Sequence, residues 1–204
     1  MDVIQENTVE QYSSDRRYAV LQELGDCYNS IGNCIQAQRC YGKAAVLGPD
    51  EPGPYVGLGA VALQKQQLEE ARIAFRVAHR LDNDCAKAYC GLAMVYQQRD
   101  DFAGAFEMYL KCLELDRDNL IALLGLFQSC CHIGSFSKVG YCLKVYLQIH
   151  PSDTAIMFCL ASLHVKDGQF NEAKKVLSDA LILDPTYSDA GNLLEEVEHE
   201  LARS

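Results

Sequence analysis

Long hydrophobic runs, an excess of positive charge and a flexible composition are all missing from this sequence. No apolar stretch approaches the roughly 20 residues that a membrane-spanning helix needs, and the N-terminus lacks the basic start and apolar stretch of a secretory signal. Five prolines and 14 glycines in 204 residues are too few for a disordered chain. The formal net charge of -10 is the opposite of a nucleic-acid footprint. The sequence therefore predicts a globular, cytoplasmic protein without membrane insertion or nucleic-acid binding.

Catalytic and metal-binding motifs are missing as well. The sequence has no Walker-type loop, no G-x-S-x-G, no H-E-x-x-H and no C-x-x-C pair. The adjacent Cys130, Cys131 and His132 lie about 100° apart around a helix, so they do not converge on one metal ion. His164 falls on an apolar helix face and is expected to be a hydrogen-bonded core residue. We predict no enzyme activity, no cofactor and no metal site.

What the sequence does contain is an internal repeat with a period of about 34 residues. The segments CYGKAAVLGPD, MYLKCLELDRD and VLSDALILDPT end alike, and Tyr41, Tyr109 and Leu177 in them are evenly spaced along the chain. Phe75 and Leu143 fall halfway between. The period divides residues 18–187 into repeats one to five, at 18–51, 52–85, 86–119, 120–153 and 154–187.

Each repeat carries two apolar stripes with helical spacing. In repeat three, Tyr89, Leu92, Ala93 and Tyr96 form the first stripe, and a second stripe starts at Phe102. Spacings of three and four residues predict amphipathic helices, and no strand-like alternation competes. Glycine lies at the break between the two helices in repeats one, four and five, where a helix end favours a left-handed residue. Gln66 and Asp100 occupy that place in repeats two and three and are weaker signals.

The repeat resembles the tetratricopeptide repeat family. The family pattern is a large residue, leucine, a small residue and an aromatic in the first helix, then alanine, an aromatic, alanine and proline. The matching positions are Leu21, Leu24, Gly25, Tyr28, Ala37, Tyr41, Ala44 and Pro49; Tyr55, Leu58, Gly59, Ala62, Ala71, Phe75 and Ala78; Tyr89, Leu92, Ala93, Tyr96, Ala105 and Tyr109; and Met157, Leu160, Ala161, Ala173, Leu177, Ala180 and Pro185. The resemblance implies an all-α, right-handed α-solenoid of tandem helix-turn-helix hairpins.

Repeat four and the two ends depart from this pattern. In repeat four, Phe127 replaces a small residue, while Val139 and Tyr146 replace alanines, so looser or shifted helix packing is expected. Residues 188–204 are predicted to form a C-terminal capping helix with one apolar and one acidic side, because solenoid ends need a polar outer face. Residues 1–17 do not match the repeat. They are expected to be a frayed tail or a segment docked on the array.

Members of the family commonly bind ligands on their concave surface. That surface is lined by the side of each first helix that faces away from its own second helix, which we call the inner face. The resemblance places these residues on it: Val56, Gly57, Ala60, Gln64, Lys87, Cys90, Gly91, Met94, Gln98, Ile121, Leu124, Gly125, Gln128, Phe158 and Ser162. An apolar inner face with Gly57, Gly91 and Gly125 in register suggests an open floor that allows close approach to the backbone.

The sequence leaves the occupant of this face open. It predicts a non-catalytic adaptor, scaffold or chaperone-like module that binds an apolar peptide or helix of another protein. In the alternative, the chain is a self-associating scaffold and the face is covered by residues 1–17 or by a second copy. The first helices could also pack on each other, and glycine could simply be tolerated on an exposed helix face. Only Lys87 fits the charged mode in which the family grips a terminal carboxylate, so no such clamp is predicted.

Overall fold

The computed structural model describes residues 2–134 and 136–203, with side chains described from residue 16 onward. Within these residues the chain is entirely helical and contains no strand. The helices are α1 (Asp2–Ser30), α2 (Cys34–Leu47), α3 (Pro52–Gln64), α4 (Leu68–Leu81), α5 (Ala86–Gln98), α6 (Phe102–Leu115), α7 (Leu120–Ile133), α8 (Phe136–Ile149), α9 (Thr154–Lys166), α10 (Phe170–Leu183) and α11 (Ser188–Arg203). They fall into an N-terminal unit, Met1–Leu115, and a C-terminal unit, Asp116–Ser204.

The N-terminal unit consists of three stacked helical hairpins. Helices α1 and α2, α3 and α4, and α5 and α6 pair within hairpins, and α2 and α4 also pack on the first helix of the next hairpin. The first alanines that the family pattern places in the second helices, Ala37, Ala71 and Ala105, have no solvent exposure. Small residues at these positions let the paired helices approach closely. The predicted all-α fold of tandem hairpins is confirmed in this unit.

The C-terminal unit contains two further hairpins and the last helix. Helix α9 pairs with α10, and α11 packs on α10, where Ala190 and Val197 are buried in the same cluster as Leu177. Helices α7 and α8 pack less closely than the other hairpins, as the bulky residues of repeat four predict. Val139 and Tyr146 are both buried there, and their larger side chains occupy space that alanine leaves free in the other hairpins.

Every hairpin turn contains a residue in the left-handed backbone region. Gly32, Gly134 and Gly168 have φ values of 75°, 73° and 72°, and Gln66 and Asp100 follow the same geometry at 61° and 60°. Each of the five positions follows the previous one by a single repeat period. Gln66 and Asp100 therefore mark the same turn as the glycines. In these two repeats a residue with a Cβ adopts the left-handed conformation despite its conformational free-energy cost.

A hydrogen bond closes these turns in the manner of a Schellman motif. The amides of Asn33, Gln67, Asp101 and Gln169 each donate to a carbonyl five residues earlier, at 2.8–3.0 Å. In each turn, the residue that donates this hydrogen bond directly precedes the second helix of the hairpin. In repeat one its side chain also caps that helix, because Asn33 Oδ1 accepts from the amide of Gln36 at 3.2 Å.

The N-terminus differs from the organisation predicted at residues 17 and 18. Helix α1 runs without a break from Asp2 to Ser30, so the expected boundary falls inside a helix rather than at the start of one. The first helix of repeat one is therefore longer than the first helices of repeats two to five, which have 13 or 14 residues. The boundaries of the predicted repeats and the capping role of α11 stay predictions.

Candidate functional site

In the N-terminal unit, the apolar residues predicted for the inner face mostly serve the core. Val56 and Met94 are half-buried and pack against the cluster that contains Phe75 and Leu92. Cys90 is buried. The members that remain exposed are Gln64, Lys87 and Gln98, while Ala60 is half-buried. Along α3 and α5 this face therefore offers polar groups and little free apolar surface.

The idea of an open glycine floor is wrong for Gly57 and Gly91. Both are buried, and a Cβ added at either position would overlap an aromatic ring of the preceding helix, Tyr41 for Gly57 and Phe75 for Gly91. The ring fills the space that the absent side chain leaves. A residue that faces away from the second helix of its own hairpin can still face the second helix of the previous hairpin, and Gly57 and Gly91 do so.

Each of these rings also meets a glycine of its own hairpin. A Cβ at Gly25 would come within 2.5 Å of Tyr41, and one at Gly59 within 2.7 Å of Phe75. The ring is thus held in a slot between two first helices, with glycine on both walls. Tyr41 Oη further donates to Asp26 Oδ1 at 2.7 Å. We call these two arrangements the aromatic slots.

In the C-terminal unit, α7 presents the largest free apolar side chains of the predicted inner face. Ile121 is 61% exposed and Leu124 is 42% exposed. They lie three residues apart and therefore on the same side of the helix. Gln128 is exposed one turn further along, whereas Gly125 is buried. The Ser129 hydroxyl, which is fully buried, donates to the Gly125 carbonyl at 2.8 Å and is satisfied within the helix.

Helix α9 contributes a more enclosed part of the predicted face. Phe158 is half-buried, and its ring centroid lies 5.5 Å from that of Tyr187. Ser162 donates its hydroxyl to the Phe158 carbonyl at 2.8 Å, so it faces a partner within its own helix. Along α9, Phe158 therefore supplies part of an apolar wall, and the polar group of Ser162 is already used.

Two thiols of the C-terminal unit lie in surroundings that disfavour the thiolate. Burial raises the pKa of the Cys159 thiol to about 11 and that of the Cys130 thiol to about 12, with the neighbouring Cys131 adding to the second shift. Both thiols stay protonated at neutral pH, whereas a nucleophilic cysteine needs a lowered pKa. His164 is buried, as predicted, and its Nδ1 lies 2.6 Å from Gln169 Oε1. Among the described residues, no three His, Cys, Asp or Glu side chains are placed to bind a metal.

A surface that the inner-face prediction missed lies on the first hairpin. We call it the N-terminal cleft, a depression of about 460 Å³ between α1 and α2. It is lined by Arg17, Leu21, Gln38, Arg39, Gly42, Lys43, Val46 and Leu47. The signal that could have found it is a comparison of repeat one with repeat two, because Val46, which lines the cleft, corresponds to Arg80.

The chain resembles known proteins in both sequence and structure. A tetratricopeptide repeat model matches residues 86–119, the third predicted repeat. The chain is similar to the protein CTR9 homolog of Arabidopsis thaliana, with 26% identity over 180 residues, which cover 81% of this chain and 16% of that protein. The chain thus spans a small part of that relative's length. No helix in the described part of the chain is both long and apolar enough to cross a bilayer.

Solved structures with the same fold cover nearly the whole chain. YrrB, described as a TPR protein with an unusual peptide-binding site, has a TM-score of 0.67 at 16% identity and covers 93% of this chain and 97% of its own. Pseudomonas aeruginosa pilF has a TM-score of 0.71 at 14% identity, with 94% and 93% covered. These identities show the fold alone. Residues 86–119 thus match a tetratricopeptide repeat, and the tandem hairpins of the chain have the fold of these solved structures.

Proposed function

We propose that this chain is a non-catalytic protein–protein interaction module that binds an apolar peptide or helix of a partner protein. The observation that carries the proposal is the exposed pair Ile121 and Leu124 on the inner face of α7. Two large aliphatic side chains one turn apart match the anchor spacing of a helix or extended segment laid on a helical surface. Full burial of such side chains stabilises a complex by about 1.5–3 kcal/mol each.

The surroundings of this pair suit peptide recognition better than chemistry. Gln128 on the same face can hydrogen-bond a peptide backbone, and Phe158 on α9 adds partly buried apolar surface. The Cys130 and Cys159 thiols of the same unit have raised pKa values and are poor nucleophiles. The YrrB protein, described as having a peptide-binding site, has the same fold, which supports the same class of ligand here.

Selection from a random peptide library displayed on phage tests the proposal. We expect enriched peptides to carry apolar residues three or four positions apart. Binding of a synthetic copy of an enriched peptide, measured by fluorescence anisotropy, should weaken about tenfold or more in the double variant Ile121→Glu/Leu124→Glu. Ile182→Glu is the matched control, because Ile182 is equally apolar, more exposed, and lies on α10 of the same unit.

Two outcomes contradict the proposal. In the first, both variants bind the enriched peptides as wild type does, and the α7 pair plays no part in recognition. In the second, sedimentation shows a concentration-dependent oligomer that the double variant abolishes. The inner face then serves a second copy of the chain, which is the self-associating scaffold considered from the sequence.

A further inference from the structure

The first hairpin exposes apolar residues at positions where the second hairpin carries charge. Val46 is 80% exposed, and Ile31 and Ile35 are exposed as well. One repeat later the same positions hold Lys65, Glu69 and Arg80. An exposed lysine, glutamate or arginine is what solvent favours at the outside of a hairpin. The apolar residues at these positions of repeat one enlarge its water-facing apolar surface.

The first hairpin also exposes residues that a preceding hairpin covers elsewhere. Leu24 is 43% exposed, whereas Leu92, at the same position of repeat three, is 6% exposed. Tyr89 of repeat three packs on His79 of the preceding helix α4, with ring centroids 4.7 Å apart. Leu21 holds the corresponding position in repeat one and lines the N-terminal cleft instead. The cleft thus lies where repeats further along receive a neighbouring second helix.

Two helical stripes border this cleft. Ile35, Arg39, Gly42 and Val46 follow one another at spacings of three or four residues on α2, and Arg17 and Leu21 do so on α1. A Cβ added at Gly42 would meet nothing within 4 Å, so the helix surface is open at that point. The depression between the stripes is shaped to receive a third helix.

The charge of the residues that line the cleft favours one kind of helix as its ligand. Among the residues whose side chains the structure describes, the lining includes the cations Arg17, Arg39 and Lys43 and no carboxylate. This is a local reversal in a chain whose formal net charge is -10. An apolar floor of Leu21, Val46 and Leu47 between cations complements an amphipathic segment with apolar anchors and acidic flanks.

We infer that the N-terminal cleft binds an acidic amphipathic helix of another protein, at a site separate from the inner face of α7. The acidic helix that this chain itself could offer is a poor match. In α11, Glu195, Glu196 and Glu198 are exposed or half-exposed, but Val197 is buried and the leucines pack against the core of their own unit. A second copy would therefore bring carboxylates without apolar anchors.

A designed peptide provides a direct test. The probe is a labelled amphipathic helix of about 18 residues, with leucines at i, i+3, i+4 and i+7 and glutamates beside them; a matched probe has lysine for every glutamate. We expect the acidic probe alone to bind, with an affinity that falls as salt rises. Gly42→Leu fills the cleft and should weaken binding about tenfold or more. The variant Arg39→Glu/Lys43→Glu should do the same.

Gly140→Leu is the matched control, because a Cβ at Gly140 also meets nothing within 4 Å and the same side chain is added to a different helix. It should bind the acidic probe as wild type does. The inference is overturned if both probes bind alike or if Gly42→Leu keeps wild-type affinity. It is also overturned if the free protein self-associates and Gly42→Leu abolishes the oligomer, because the occupant is then a second copy. None of these readouts depends on Ile121 or Leu124, so this test and that of the α7 site fail independently.

Discussion

In the two units, different residue pairs occupy the equivalent space between successive hairpins. In the N-terminal unit, Tyr41 and Phe75 insert a ring between glycines, and the glycine of the following helix holds the same place in both repeats, at Gly57 and Gly91. In the C-terminal unit the corresponding pairs are Leu143 with Cys159 and Leu177 with Leu193. Leu177 and Leu193 lie in one apolar cluster.

This difference indicates that the ring or leucine and the residue opposite it on the following helix share one volume. A large ring requires glycine opposite, whereas leucine leaves room for cysteine or another leucine. Cores tolerate exchanges that conserve the total volume and resist those that do not. The ring additionally permits a polar contact at its far end, as from Tyr41 Oη to Asp26, which leucine cannot make. The glycines of the N-terminal unit are therefore part of the packing.

Replacing a ring–glycine pair of the N-terminal unit by the leucine–cysteine pair of the C-terminal unit should change the free energy of unfolding most. Gly91→Cys places a side chain against the Phe75 ring and should lower the free energy of unfolding by about 1–3 kcal/mol. Adding Phe75→Leu recreates the pair of positions 143 and 159, and the double variant should be less destabilised than the sum of the single variants by about 0.5–3 kcal/mol. Urea unfolding followed by circular dichroism measures all four proteins.

Gly140→Cys serves as the control for this cycle, since its side chain enters open space on α8. It should change the free energy of unfolding little. Strict additivity of the two single changes would contradict the shared volume and remove the distinction between the units.

The hairpin turns allow a second exchange, with a smaller effect. Gln66 in the N-terminal unit adopts the left-handed conformation that Gly168 adopts in the C-terminal unit. A residue with a Cβ pays about 1–2 kcal/mol for this conformation, and part of the gain from glycine is offset by its greater freedom in the unfolded chain. Gln66→Gly should raise the free energy of unfolding by about 0.5–1 kcal/mol, measured by urea unfolding. Gly168→Gln should lower it, and a loss of stability in Gln66→Gly would show that the glutamine side chain matters more than the backbone.

The smallest expected effect concerns an ion-pair bridge that the N-terminal unit has at Glu69. Hydrogen bonds from Arg72, and then from Arg99 at 2.6 Å, lower the pKa of Glu69 from 4.5 to about 2. Because the pKa is lower in the folded state, the stabilisation is complete above pH 4.5 and is lost as the pH falls towards 2. The equivalent positions in the C-terminal unit hold Ser137 and Asn171.

Urea midpoints at several pH values test this bridge. Glu69→Gln should be slightly less stable than wild type at neutral pH, and the two proteins should converge near pH 2. The effect is small because the pair is exposed to solvent. Arg99→Gln removes the partner on the neighbouring hairpin and should show the same pH dependence. A difference that persists unchanged at low pH would mean that the side chain acts through packing.

Much of the fold could be predicted because local and repeating signals coincide. The repeat period, the helical stripes and the glycines at the turns all indicated hairpins, and alanines such as Ala71 and Ala105 are buried as the pattern requires. The turns at Gln66 and Asp100 were harder to predict, because their backbone conformation is imposed by the hairpin rather than favoured by the residue. The long α1 was not predicted, since residues 1–17 carry no repeat pattern.

The candidate site was less predictable because it depends on contacts between hairpins. A helical wheel orders Val56 and Gly57 around α3 but does not show the ring that comes from the preceding hairpin. The equal spacing from Tyr41 to Gly57 and from Phe75 to Gly91 indicates that a ring of one hairpin meets a glycine of the next. Ile121 and Leu124 are exposed on α7, and their place on a binding face stays a prediction. The N-terminal cleft required a comparison of equivalent positions between repeats.

The aromatic slots also bear on how unfolding spreads along the N-terminal unit. Each slot has one wall from its own hairpin and one from the next, so its stabilisation belongs to the junction between repeats. In arrays whose stability is a sum of repeat and junction contributions, strong junctions make neighbours melt together. Loosening one hairpin here would uncover a ring of its neighbour. Tyr41 and Phe75 are thus the residues that set the cooperativity of melting in this unit.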